Sequence, residues 1–144
     1  MNLSDNARQA PGAKSLHEMG CYYLAVRDFD EAIKRLKEAV AFDGRSARIH
    51  CDLGTAYFEK GKIRDPHDSR REPDEFSLAL VEYNLALELA PHRLEVLFNR
   101  GLLSMKTSSY SKASSDWLEY IKMDPGSPWA EEARENLRQI GDQK

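Results

Sequence analysis

The sequence predicts an all-α protein made of stacked helix pairs. Three observations predict it: a repeat of 34 residues, helical spacing of the apolar residues inside each repeat, and one interruption of fixed length. Gly20 and Gly54 stand 34 apart, as do Phe76 and Tyr110, Ala79 and Ala113, and Pro91 and Pro125. Across the middle of the chain the offset is 47: Gly54 to Gly101, Ala32 to Ala79, Ala39 to Ala86. The difference, 47 − 34, places a 13-residue insertion in one repeat, between Gly54 and Phe76. A fixed period of this length marks a repeat architecture, in which each unit buries its apolar side on its neighbour.

Each unit reads as two helices. Leu16, Met19, Gly20 and Tyr23, then Phe29, Ala32, Leu36, Ala39 and Phe42, belong to the first. The second has Leu53, Gly54 and Tyr57, then Phe76, Ala79, Tyr83, Ala86, Leu89 and Pro91. The third has Leu97 and Gly101, then Tyr110, Ala113, Trp117, Tyr120, Met123 and Pro125. Steps of three and four put these residues on one stripe of a helix. Gly20, Gly54 and Gly101 fall mid-helix, where glycine costs about 1 kcal/mol relative to alanine. Their recurrence at that cost predicts close helix–helix contact, with Ala32, Ala79 and Ala113 as the small residues on the facing helix.

The helices are expected near 13–26 and 29–42, 46–61 and 75–90, 93–107 and 110–123, and a last one near 127–140. Ser127 is suited to the N-cap, Pro128 to the first helical position, and Glu131 and Glu132 to the helix dipole. Trp129, Ala133, Leu137 and Ile140 of that helix are expected to cover the open end of the third repeat, as a solenoid cap must. Residues 1–12 read as a flexible tail. The insertion, 62–75, holds two prolines, nine charges and one apolar residue, so it reads as a solvated loop that Pro66 and Pro73 keep out of a regular helix. A partner-contacting arm is the alternative for a loop of this length.

This pattern resembles the tetratricopeptide repeat (TPR): a Leu-Gly step, a Tyr, an Ala four before an aromatic, and a closing Pro. The resemblance covers Ala13 to Pro125. It implies a right-handed α-solenoid of three TPR helix pairs (about 13–46, 47–93 and 94–126) with the C-terminal helix as its cap. Departures stand out. Leu16, His50 and Leu97 replace the opening Trp, Arg100 replaces the Leu before the third Gly, Ser104 its Tyr, and Gly44 the first closing Pro. The stretch WLEYIKMDPGSPWAEEAR also looks like TPR segments of bacterial proteins, both stand-alone and N-terminal to CHAT (caspase-like) domains.

The resemblance implies a function. In this family the first helix of each repeat lines the inside of the superhelix and holds a peptide or helix of a partner protein. The implied groove residues are His17, Cys21 and Leu24, then Arg48, Cys51, Asp52, Thr55 and Phe58, then Glu95, Phe98, Asn99, Leu102 and Met105. Phe58, Phe98, Leu102 and Met105 are surplus to the core stripe, so an exposed apolar strip is expected there. The adaptor reading competes with a self-associating module, such as a homodimer, whose own copy fills the groove, and with a regulatory segment of a larger effector. Family members that bind chaperone EEVD tails clamp a carboxylate with Lys, Asn, Asn, Lys and Arg. The matching positions here carry His17, Cys21, Asp52, Glu95 and Asn99. Two are acidic and only the last is a ready donor, so such tails are not expected to bind.

Composition removes other classes. The chain has 144 residues, 41% hydrophobic and 31% charged, which suits one ordinary globular domain rather than a disordered one. A formal net charge of −3 gives no basic face for nucleic acid. No apolar run approaches the ~20 residues of a membrane span, and the polar start lacks a signal-peptide pattern, so a cytoplasmic protein is expected. Cys21 and Cys51 form no CxxC and read as small, half-buried thiols. No two of His17, His50, His67 and His92 have the i, i+4 spacing of a helical zinc site, and His67 between Asp65 and Asp68 is too sparse a cluster for a metal. With no GxGxxG, GxxxxGK or GxSxG, neither an enzyme nor a cofactor or metal site is expected.

Overall fold

In the computed structural model the described residues are 12–64 and 74–143, and they contain seven α-helices and no strand. In chain order these are α1 (Ala13–Ala25), α2 (Phe29–Phe42), α3 (Ala47–Ile63), α4 (Glu75–Leu89), α5 (Leu94–Lys106), α6 (Tyr110–Met123) and α7 (Pro128–Gln143). The all-α class and the order of helix pairs agree with the sequence pattern. None of these helices is long and apolar enough to cross a membrane. The chain divides into two compact units, one ending at Leu89 and one beginning at Ala90.

In the first unit, α1 packs on α2, α2 on α3, and α3 on α4. One cluster joins Ala32, Leu36, Leu53 and Ala56; a second joins Leu16, Ala39 and Ile49. The glycines sit where the periodicity places close contact. A Cβ on Gly20 would stand 2.5 Å from Leu36 Cγ, and one on Gly54 2.8 Å from the ring of Tyr83. Leu36 and Tyr83 are 47 apart, the same offset that separates equivalent residues across the insertion.

In the second unit, α5 packs on α6 and α6 on α7. A Cβ on Gly101 would stand 2.9 Å from the ring of Trp117, which is fully buried. Ser127 caps α7 as expected, its Oγ accepting from the Ala130 N–H at 3.1 Å. The buried side of α7 is Ala130, Ala133 and Ile140. Trp129, expected among them, is 57% exposed: it lies one position ahead of Ala130, and the small residue takes the interior while the indole stays at the edge.

The turns explain where α3 differs. After α1, Arg27 takes a left-handed φ of 65°, and after α5, Ser108 takes 61°. At both places the chain closes with paired bonds, Arg27 N–H to Leu24 O with Asp28 N–H to Tyr23 O, and Ser108 N–H to Met105 O with Ser109 N–H to Ser104 O. That is the Schellman arrangement, which satisfies the last helical carbonyls. The matching position in the second pair is Gly61, 34 residues after Arg27. There the helix does not turn. It runs to Ile63, giving α3 17 residues against 13 in α1 and in α5. Lys62 and Ile63, assigned to the insertion from sequence, are therefore helical. Residues 65–73, with the His67 cluster, lie outside the described residues.

Two departures from the repeat pattern have partners. Arg100 makes a bidentate pair with Asp116, both bonds at 2.8 Å, joining α5 to α6. His50 is buried and faces Glu82 Oε1 at 2.7 Å and the Gly44 carbonyl at 2.8 Å.

The glycine contacts give a stability prediction. Tyr83 is fully buried and its hydroxyl is bonded to Thr55 at 2.9 Å, so its ring has nowhere to retreat. Overpacking of about 1–3 kcal/mol then outweighs the ~1 kcal/mol that alanine gains in helix propensity. Gly54→Ala is expected to destabilise the chain in urea unfolding, while Gly141→Ala, with open space at its Cβ, is neutral or slightly stabilising. Equal behaviour of the two variants would contradict the close-packing account.

Candidate functional site

The residues expected to line a binding face divide between the two units. In the first unit they lie on α1 and α3. His17, Cys21 and Leu24 come from α1, and Arg48, Cys51, Asp52, Thr55 and Phe58 from α3. The structure brings three of them together. His17 Nε2 and Asp52 Oδ2 are 2.6 Å apart, and the Cys21 thiol donates to the same Asp52 oxygen at 3.5 Å. Burial and the neighbouring Asp52 carboxylate push the Cys21 thiol up to about 11, so it is protonated near neutral pH. Arg48 is exposed, and Leu24 is half-buried.

Three others turn inward. Cys51 is 2% exposed, and Phe58 is 6% exposed with its ring edge-on to Phe76 of α4 at 5.8 Å. Thr55 spends its hydroxyl on Tyr83. The expectation that Phe58 belongs to an exposed apolar strip is corrected: α3 has α2 on one side and α4 on the other, so it buries more than one stripe.

In the second unit Glu95, Phe98, Asn99, Leu102 and Met105 lie on α5. Phe98 is also core, 7% exposed, with edge-on contacts to Trp117 at 5.0 Å, Trp129 at 5.4 Å and Tyr120 at 5.5 Å. It forms the floor of a cavity of about 350 Å³ lined by Leu94, Glu95, Phe98, Asn99, Tyr120 and Trp129. Leu102 and Met105 are half-buried and lie outside this lining. Sequence reasoning found Glu95, Phe98 and Asn99. It missed Leu94 as lining, and it assigned Tyr120 and Trp129 to the core stripe and cap. The assignment of Trp129 contains a partial signal, since a cap residue that fails to bury completely becomes the wall of a pocket; Tyr120 is buried, as the core stripe requires.

The cavity walls are apolar, while Glu95 and Asn99 bring polar groups to the lining. That combination can take an apolar side chain and orient the segment that carries it.

Residues 27–61 match the family model described as TPR repeat. No curated protein sequence matches the chain. Solved structures match across nearly the whole chain at low identity. A structure described as the Arabidopsis OM64 TPR domain is 18% identical with a TM-score of 0.74, covering 88% of this chain and 94% of its own. The first TPR of Spaghetti (RPAP3), bound to the HSP90 peptide SRMEEVD, is 22% identical with a TM-score of 0.75, covering 91% and 94%. The Yersinia enterocolitica type III secretion chaperone SycD, in complex with a peptide of the translocator YopD, is 13% identical with a TM-score of 0.74, covering 90% and 92%. At these identities the shared property is the fold.

Proposed function

The chain carries a tetratricopeptide repeat and folds as the solved tetratricopeptide-repeat domains do; from that premise we propose that it is a protein-interaction module, without catalysis of its own, that binds a peptide or helix of a partner protein. The observation that carries this reading is the cavity on α5. Its apolar floor of Phe98, its walls of Leu94, Tyr120 and Trp129, and its polar residues Glu95 and Asn99 match the anatomy of a hot spot, an apolar anchor site ringed by polar contacts. Support from fold comparison is of the same kind: the RPAP3 domain and SycD are both described in complex with peptides.

Selection from a displayed random-peptide library against the full chain tests this. Selected peptides are expected to lose about thirtyfold in affinity, a hot-spot loss of ~2 kcal/mol, on Trp129→Ala. Trp129 is largely exposed, so its truncation spares the core. Undiminished binding to Trp129→Ala would remove the cavity from the function.

The anionic tails of chaperones are not the ligand in this reading. Asp52 already accepts from His17 and Cys21, and Glu95 is a second acid among the positions that the family resemblance matches to carboxylate-clamp donors. A calorimetric titration with SRMEEVD is expected to show no saturable binding tighter than about 1 mM, which corresponds to only ~4 kcal/mol. Micromolar affinity would overturn the assignment.

One observation favours self-association as a second reading. Val81, Leu85 and Leu89 form an i, i+4, i+8 stripe along α4 and are 52%, 36% and 38% exposed. Apolar stripes of this kind mark contact surfaces. Light scattering over a wide concentration range decides: a monomer throughout removes this reading and leaves the peptide reading in place.

A further inference from the structure

We propose that His17, Cys21 and Asp52 form a binding site for a zinc-type divalent transition-metal ion, with three protein ligands and a fourth position open to water. The proposal stands on the geometry of the first unit alone and is independent of the cavity on α5. His17 and Cys21 are one helical turn apart on α1, so their side chains leave the same face. Asp52 reaches them from α3. One ligand atom of each, the imidazole nitrogen, the thiol sulfur and a carboxylate oxygen, lies within 4.8 Å of the other two.

The spacing is close to what a metal needs. With bonds of about 2.0 Å to nitrogen and oxygen and about 2.3 Å to sulfur, donors around a tetrahedral zinc sit roughly 3.3–3.7 Å apart. The Cys21–Asp52 separation of 3.5 Å already falls there. The His17–Asp52 separation of 2.6 Å must open by about 0.7 Å, which side-chain torsions supply without moving either helix. Brought together from residues 31 and 35 apart in the chain, the three groups are held before any ion arrives.

The donor set selects the ion. One nitrogen, one sulfur and one oxygen suit a borderline cation such as zinc, whereas calcium and magnesium take oxygen ligands. Cys21 binds as thiolate, so the incoming ion releases the thiol proton to solvent, and no oxidant or reductant is involved. Access is open: the side chains of His17 and Asp52 are 14% and 28% exposed. Glu18 adds negative charge beside Cys21, and Arg48 positive charge. Three protein ligands with a free fourth position describe an exchangeable site rather than a closed structural one.

The test is a titration of the metal-free full chain with Co²⁺, followed by Zn²⁺ competition. One equivalent of Co²⁺ is expected, with tetrahedral d–d bands and a thiolate-to-cobalt charge-transfer band that Zn²⁺ abolishes. Cys21→Ser should remove the charge-transfer band, His17→Gln and Asp52→Asn should each weaken Zn²⁺ binding roughly tenfold or more, and Cys51→Ser should leave all of it unchanged. Circular dichroism checks that each variant is folded. A measurement on the unmutated chain guards against a variant that is not: Zn²⁺ should slow alkylation of Cys21, mapped by mass spectrometry, and leave Cys51 unaffected. No charge-transfer band, binding that survives Cys21→Ser, or equal Cys21 alkylation with and without Zn²⁺ would each overturn the proposal and leave a His17–Asp52 hydrogen bond and nothing more.

Discussion

The architecture depends on a single steric bargain made three times: one helix of each pair gives up a side chain so that its partner can bring a large one to its backbone. Gly20 faces Leu36, Gly54 faces Tyr83 and Gly101 faces Trp117. The large residue grows along the chain, from aliphatic to phenol to indole, while the glycine stays. This follows from what limits close approach. A Cβ at any of the three would fall within 3 Å of a side chain that is itself fully buried. Alanines do the same from the other helix: Ala32, Ala79 and Ala113 all have no exposed surface. Large apolar residues could then vary with the space available, but the small ones could not.

That constraint also explains what was legible in the sequence. Small residues recurring at 34 and 47 are visible without a structure, and they locate the helix pairs to within a residue or two. The cap of α7 was legible from residue type, since Ser127 bonds the third amide of the helix that follows it; Ser46 caps α3 in the same way, and sequence reasoning did not single it out. Burial of Phe58 and Phe98 was not legible. A periodicity argument assigns one stripe of a helix to the core, but α3 contacts helices on two sides and buries residues from Ile49 to Phe58 that no single stripe holds. The extension of α3 was hidden too. Gly61 stands where the other pairs turn, yet Phe76 packs so close that a Cβ there would lie 2.7 Å from its ring, and the helix continues past it.

Two of the departures from the repeat pattern are compensated locally. An arginine before the third glycine is a poor core residue by itself, but its guanidinium meets Asp116, only 3% exposed, through two parallel bonds, the geometry in which such a pair best offsets its desolvation. His50, buried where the family places an indole, ties the turn at Gly44 to Glu82 on α4 through its two ring nitrogens. In each case a lost apolar contact is replaced by a hydrogen-bonded link between neighbouring elements. Buried polar groups persist when their partners are present.

The His17, Cys21 and Asp52 cluster differs from these two links. Arg100–Asp116 and His50–Glu82 each join adjacent helices. In the cluster on α1 and α3 one carboxylate oxygen serves both an imidazole and a thiol, between helices that otherwise touch little. A packing role would not call for a sulfur donor beside a carboxylate, because the thiol is a weak donor and its burial next to a negative charge is unfavourable to the thiolate. A divalent cation reverses both terms. It stabilises the thiolate, draws three otherwise competing groups into one coordination shell, and bridges two helices that share few other contacts. The sequence does contain one trace of this arrangement, the i, i+4 step from His17 to Cys21, which a rule confined to histidine pairs passes over; the third ligand is 31 residues further on and becomes a neighbour because α1 and α3 both pack on α2.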